Sequence, residues 1–306
     1  MGRARRVAAA VIGLLLASAL ASQGSAPPSA VESRLRALIA ASGAEVAIAF
    51  RTVDGRSELL IDPDKPFHAA STMKLPVMIE LFRQARAGML SMDDALPVRN
   101  EFHSIVDGSP FALGEGDDSD KEVYAAIGKT MTLRQLCDAM ITMSSNFAAN
   151  LLIERLGVAS VRRTVASLGA DGMQVLRGVE DQKAYDKGLN NTTTARGLLV
   201  LFDRLAHGTA VDAESDAQMI AILKRQHFNT AIPAGLPPGT VVAHKTGDIT
   251  RIHHDAGIVY GPSPYVLVVL VRGIDDLKTS AALMADISKT VYRHTVDEQR
   301  SNPRLP

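Results

Sequence analysis

The feature that most restricts the fold is where the β-patterned sequence falls. It lies near both ends of the chain, with a long helical middle between. Near the start, "AEVAIAFRTVDGRSELLID" alternates or runs apolar and breaks at Asp54-Gly55, the pattern of a β-hairpin. Near the end, "TVVAHKTG", "HHDAGIVYG" and "YVLVVLVRG" are β-rich and bounded by Gly and Pro. From residue 71 to about residue 206 the pattern is mostly helical, as in "PVMIELFRQARAG", "TLRQLCDAMITMSSNFAANLLIERLG", "VASVRRTVASLG" and "TTTARGLLVLFDRLAHG". One helix, "AVESRLRALIAASG", precedes the first strands, and another, "LKTSAALMADISKTVYRH", follows the last. The order predicts an α+β fold, with an antiparallel sheet flanked by terminal helices and an inserted all-helical lobe. The expected domain covers residues 31–297, with an α/β lobe from 31–70 and 210–297 and a helical lobe from 71–209; residues 298–306 are expected to form a tail.

The first residues stand apart from that domain. "MGRARR" is a basic leader, "VAAAVIGLLLASALA" is an apolar run, and Ala19-Leu20-Ala21 is an A-x-A cleavage pattern. Residues 1–21 are therefore expected to be a secretory signal peptide, with 22–30 a polar, Pro-containing linker. Gly24-Ser25-Ala26 is a second cleavage option. The run is shorter than the ~20 residues that span a bilayer, so cleavage is favoured over an anchor. The expected mature protein is periplasmic or secreted, free of the membrane and monomeric. The 33 basic and 33 acidic residues balance, and no basic stripe is present, which argues against nucleic acid as a partner. The single cysteine, Cys137, excludes an intramolecular disulfide and a CxxC metal knuckle, and its apolar helical context reads as core. The acidic stretch "LGEGDDSDKE" lacks the ligand spacing of an EF-hand and reads as a solvated loop.

Three short patterns carry possible chemistry. In "FHAASTMKLPVMIEL", Ser71 and Lys74 lie one turn apart on one face if a helix begins near Ser71, and Pro76 is tolerable only in a first turn. The helix N-terminus favours a developing oxyanion. A neutral lysine there takes the serine proton, which requires lowering its pKa from ~10.4 towards neutrality at a cost of about 4 kcal/mol. Ser-x-x-Lys alone arises by chance about once per 250 positions, and a capping serine beside an exposed lysine is its plain alternative. In "MITMSSNFAAN", Ser144 and Asn146 point into one cleft if the backbone turns there; the alternative is an ordinary N-cap. In "VVAHKTGDI", Lys245 and Gly247 share one side of a strand and Thr246 takes the other, with the glycine allowing a substrate backbone to approach. Its alternative is a strand edge protected by lysine.

Taken together and in this order, the three patterns resemble those of class A β-lactamases and the wider family of penicillin-recognising serine hydrolases, over about residues 31–294. The resemblance implies a β-lactamase/penicillin-binding-protein transpeptidase-like fold, with Ser71 as acylated nucleophile, Lys74 as its base or proton relay, and Ser144 as proton shuttle to the leaving nitrogen. It implies that Asn146 holds the substrate's side-chain amide and that Lys245 and Thr246 hold its carboxylate. Lys245 would also keep Lys74 neutral, and the N–H groups of Ser71 and Asp248 would form the oxyanion hole. It implies no metal and no cofactor, and a small-molecule β-lactam or a peptidoglycan-derived peptide as substrate.

The match departs at named places. Ser145 stands where class A enzymes usually have Asp. In "RGVEDQKAYDKGLNNTTTA", Arg177, Leu189-Asn190 and Thr192 to Thr194 fit the family's loop, but Glu180, the candidate deacylation base, falls one residue further from Arg177 than the pattern expects. Asn191 replaces the arginine's acidic partner, and Asp181 and Asp186 are weaker candidates for the base. Where many class A enzymes carry a carboxylate-facing arginine, this chain offers His254, Asp255 and Ala256, with Arg251 on the turn. His253 and His254 point to opposite faces of a strand, which argues against a metal site. The expected activity is an acyl-enzyme hydrolysis of β-lactam amides. The alternatives are a D-alanyl-D-alanine carboxypeptidase, transpeptidase or esterase with slow β-lactam turnover, and a non-turnover β-lactam binder.

Overall fold

The computed structural model describes residues 29–301. The expected signal peptide, the linker up to residue 28 and the tail beyond 301 lie outside the described residues. Helix α1 (Ala30–Ser42) starts at once, because the Ser29 hydroxyl accepts from the Glu32 N–H at 3.2 Å, and it stops at Gly43, whose φ of 66° a glycine adopts without strain. The hairpin follows as β1 (Glu45–Thr52) and β2 (Glu58–Ile61), and the late strands are β3 (Val241–Ile249), β4 (Ile252–Tyr260) and β5 (Tyr265–Arg272). They form one antiparallel sheet in the order β2-β1-β5-β4-β3. The N-terminal hairpin therefore pairs with the last strand, which closes the helical middle off as an insertion.

Strand alternation divides the apolar residues between two cores. Ile48, Phe50, Leu267, Val269 and Val271 face α1 and the last helix, α8 (Leu277–Ser301). This helix continues through residues 298–301, which the sequence leaves to a tail. Ala47, Ala49, Ala256, Val268 and Leu270 face the other way, into a core continuous with the helical lobe. In that lobe α2 (Lys74–Arg86) is buried on nearly every side, as an axial helix with apolar residues all round must be. Around it pack α3 (Leu133–Thr142), α4 (Asn146–Leu156), α5 (Val158–Ser167) and α7 (Ala213–Leu223). Helix α6 (Ala195–Ala206) lies across β1, β4 and β5, although its sequence position groups it with the helical lobe. Cys137 is buried in α3. No helix among the described residues is long and apolar enough to cross a membrane.

Candidate active site

The site forms where the axial helix meets the sheet. Residues 70–73 make a 3-10 turn and α2 proper begins at Lys74, one turn later than a start near Ser71 would place it. The tighter turn brings residues i and i+3 into eclipse, so it serves the pair better than an α-turn. The Lys74 Nζ lies 3.0 Å from the Ser71 Oγ. Ala70, just before the serine, takes a φ of 45°, and its N–H donates to the His68 Nδ1 at 3.0 Å. A left-handed non-glycine residue costs about 1 kcal/mol or more, so the turn is held from outside. Part of that hold is β3: a Cβ on Gly247 would sit 3.0 Å from both the Ser71 and Thr72 backbone nitrogens. A side chain there would force the nucleophile turn to give by a few tenths of an ångström, so the protein's own backbone also approaches this glycine closely.

Lys74 is fully buried and makes polar contacts in two directions. Besides Ser71 it donates to the Ser144 carbonyl at 2.6 Å and the Asn146 Oδ1 at 2.7 Å, with the Ser144 Oγ at 3.3 Å. The Ser144 Oγ also accepts from the Lys245 Nζ at 2.9 Å, and that ammonium donates to the Thr246 carbonyl at 2.9 Å. Burial, and then the neighbouring Lys245, hold the Lys74 amine well below the ordinary lysine range, while Asp118 and Glu180 pull the other way. Burial lowers Lys245 as well, to about 8. Ser144 reaches its place through a φ of 59° at the break between α3 and α4.

Glu180 joins the cluster through Asn146, whose Nδ2 donates to the Glu180 Oε1 at 3.1 Å. Asn146 therefore bridges Lys74 and Glu180. The extra residue after Arg177 is absorbed at Glu180 itself, which takes a φ of 62°. Glu180 pairs with neither Arg177 nor Lys183, whose side chains are engaged elsewhere. Lys183 donates to Asp107 at 2.7 Å, and the Arg177 guanidinium donates to the Leu189 and Gly178 carbonyls and the Asn190 Oδ1 at 2.9–3.1 Å. Asn191 holds the Arg177 backbone: its Oδ1 accepts from the Leu176 N–H at 2.7 Å, and its Nδ2 donates to the Arg177 carbonyl at 3.0 Å. Asp181 borders the cavity above this cluster, but its carboxylate is engaged by other groups. It accepts from the Ser104 hydroxyl at 2.8 Å and the Ile105 N–H at 2.9 Å and so ties this loop to the segment before it. Asp186 pairs with Gln182 at 2.7 Å on the surface.

A cavity of about 450 Å³ opens over this cluster, walled by Ser71, Asn146, Arg177, Glu180, Tyr185 and Asp248 among others. Lys74, Ser144 and Lys245 stand behind that wall. Thr246 is buried and alternates to the opposite side of β3 from Lys245, and it is not part of the wall. The side chain of Asp248 is exposed at the cavity, with its carboxyl pushed up to about 6 by the surrounding protein. His254 is committed elsewhere, its Nε2 contacting the His68 carbonyl at 2.9 Å.

Two residues of this region carry no warning in the sequence patterns above. Asn150, one turn past Asn146 on an otherwise apolar helix, brackets Val179: its Oδ1 accepts from the Val179 N–H at 2.7 Å, and its Nδ2 donates to the carbonyl at 2.9 Å. A polar residue on the buried face of α4 is the signal that points to it. The second is Asp118. The acidic stretch is not uniformly solvated: Asp118 is 7% exposed and Asp120 5%. The Asp118 Oδ2 accepts from the Phe147 N–H at 2.8 Å and lies 3.3 Å from the Ser145 Oγ. Composition argues for a solvated loop, but helix N–H groups replace the water that such a carboxylate loses.

The chain as a whole has known relatives. The profile of the β-lactamase enzyme family matches residues 30–295. The chain belongs to that family. It is 28% identical over 277 residues to a β-lactamase of Streptomyces albus G, covering 88% of this chain and 85% of the relative. It superposes on the crystal structure of a β-lactamase from Sphaerobacter thermophilus with a TM-score of 0.74 at 25% identity, covering 90% of this chain and 99% of that one. PBP-A aligns with a TM-score of 0.74 at 25% identity, over 87% and 96% of the two chains. The α+β expectation agrees with these neighbours.

Proposed function

We propose that this family member is an exported serine β-lactam hydrolase of the class A type, working through an acyl-enzyme on Ser71. Hydrolysis of β-lactam amides is the activity of the family to which it belongs; export, the covalent step and the class A assignment are our reading. The observation that carries it is the fully buried Lys74 amine, 3.0 Å from the Ser71 Oγ and held below the ordinary lysine range. A neutral amine there accepts the serine proton as Oγ attacks the lactam carbonyl. The N–H groups of Ser71 and Asp248 would stabilise the oxyanion, a single donor of this kind contributing ~3 kcal/mol to the barrier. Ser144, bonded to both lysines, returns a proton to the lactam nitrogen as the C–N bond breaks. A water deprotonated by Glu180 then attacks the ester, and Ser71 leaves with a proton.

The support for Glu180 is its bond to Asn146, which puts its carboxylate beside the cavity. Lys245 supplies the positive potential for a substrate carboxylate. The reading extends to a periplasmic or secreted, monomeric enzyme without metal or cofactor. A peptidoglycan-directed peptidase or esterase is the second reading, favoured by the similarity to PBP-A, a variant of which has been solved as an acyl-enzyme complex with penicillin G.

Mixing the purified mature protein with a chromogenic cephalosporin, while following colour and intact mass, separates the two. Steady turnover supports the hydrolase, a long-lived adduct on Ser71 supports the second reading, and neither colour nor adduct removes both.

A further inference from the structure

We propose that Asp118, carried by the acidic loop 113–122, is a positioning residue that clamps the Ser144–Ser145–Asn146 turn and acts on the reaction through Lys74. The inference rests on the reading above, in which Lys74 takes the proton of Ser71.

The geometry begins with α4, an eleven-residue helix whose first N–H groups have no partner within it. Two side chains divide them. The Ser145 Oγ accepts from the Ala148 N–H at 3.2 Å, and the Asp118 Oδ2 accepts from the Phe147 N–H at 2.8 Å. The Ser145 hydroxyl then donates to the same Asp118 oxygen at 3.3 Å. Asp118 Oδ1 accepts from the Asp120 N–H at 3.2 Å, which fixes the carboxylate's own loop. Aromatic contacts seat the segments flanking the loop on the helix, Tyr124 lying 4.8 Å and Phe102 6.0 Å from Phe147, centroid to centroid.

The residues on either side of Ser145 are the two that hold Lys74. Ser144 does so from a left-handed backbone, a conformation that persists only when its neighbours are pinned. Asp118 pins them, gripping the next residue and the one after Asn146. Ser145 stands where the class A pattern resembled in the sequence carries Asp; here the loop delivers a carboxylate to the same helix end.

Charge adds to the clamp. The charged groups facing Lys74 are Lys245 from β3, Asp118 from this loop and Glu180 from the loop after Arg177. Those acting on or through Asp118 are Lys74, Tyr124 and Asp120. Lys245 disfavours the charged form of Lys74, and the two carboxylates favour it. The base is active only when neutral, so acylation falls as pH drops through the Lys74 pKa. Removing the charge of Asp118 lowers that pKa and moves the acid limb to lower pH.

A mutant cycle on the mature protein tests this, comparing the parent, Asp118→Ala, Ser145→Asp and the double variant. The readouts are Tm and the single-turnover rate of adduct formation with a chromogenic cephalosporin. Asp118→Ala should lower Tm and slow adduct formation at least about twofold, the lower end for coupled neighbours. Ser145→Asp alone should also do harm, because two carboxylates then meet at one helix end. In the Asp118→Ala background the same substitution should raise both readouts, since aspartate caps as serine does and restores the charge. Asp118→Asn, which keeps shape and an acceptor oxygen, should move the acid limb of adduct formation to lower pH. The proposal is overturned if Ser145→Asp has the same sign in both backgrounds, or if Asp118→Asn leaves the acid limb in place. A parent that forms no adduct overturns the acylation reading and the part acting through Lys74; the sign of the Tm change then still decides the clamp.

Discussion

The two walls of the cleft are built differently. The acylation side, Ser71 with Lys74, Ser144 and Lys245, stands on a 3-10 turn, an axial helix and the edge strand β3, and both lysines are fully buried. The side that bears Glu180 is a loop, and Glu180 itself is exposed and left-handed. That loop is held by side-chain brackets instead of by ladders: Asn150 on Val179, Asn191 on Arg177, and Asp181 on Ser104 and Ile105. The difference teaches that the nucleophile's geometry is fixed by the core, whereas the deacylation geometry depends on a few polar contacts that single substitutions can loosen.

The comparison breaks most plainly at the nucleophile. Ser71→Ala should cost roughly 10³-fold or more in turnover and abolish the adduct seen by intact mass, because the cluster around it works as a unit. Next, Glu180→Gln should leave adduct formation nearly unchanged while slowing its hydrolysis about 10²-fold or more, so that an adduct accumulates. Equal loss in both steps would mean that the two walls are not separable.

Asn150→Ala sharpens the comparison. It strands the Val179 N–H and carbonyl, at a cost of about 1–3 kcal/mol, and should slow deacylation more than acylation while lowering Tm. Lys74→Met should do the reverse of most core substitutions: activity is lost, but stability in urea rises by about 0.5–2 kcal/mol, since a desolvated amine is removed.

The smallest effect concerns pH. With Lys245 at about 8, KM for a carboxylate-bearing substrate should rise as pH climbs past that value, with kcat less affected. The linkage has a definite sign. Between about 8 and ~10.4 the unfolded chain binds more protons than the folded one, so the burden of burying Lys245 is full below about 8 and lifts as pH rises. A urea midpoint that falls across that window would contradict it.

Much of the molecule was legible in advance because local pattern and global fold agree. The hairpin and late strands announce themselves by alternation, and Ser71, Lys74, Ser144, Asn146 and Lys245 all come together. Where local pattern misled, a distant partner had changed the environment. Asp118 reads as solvated from its neighbours Asp117 and Asp120, and only the N-terminus of α4 makes it a buried acceptor. At Gly247 a Cβ would crowd the backbone of the nucleophile turn, a contact that the strand's own sequence does not announce.

By itself, the order of residues determined the elements, their hydrophobic faces and the types of chemical group on offer, because periodicity and turn chemistry act over a few residues. Tertiary structure alone decided which charges are desolvated, which N–H groups remain to be capped and how far Glu180 stands from Asn146. Those depend on groups far apart in the chain, and proximity of that kind has no local signature.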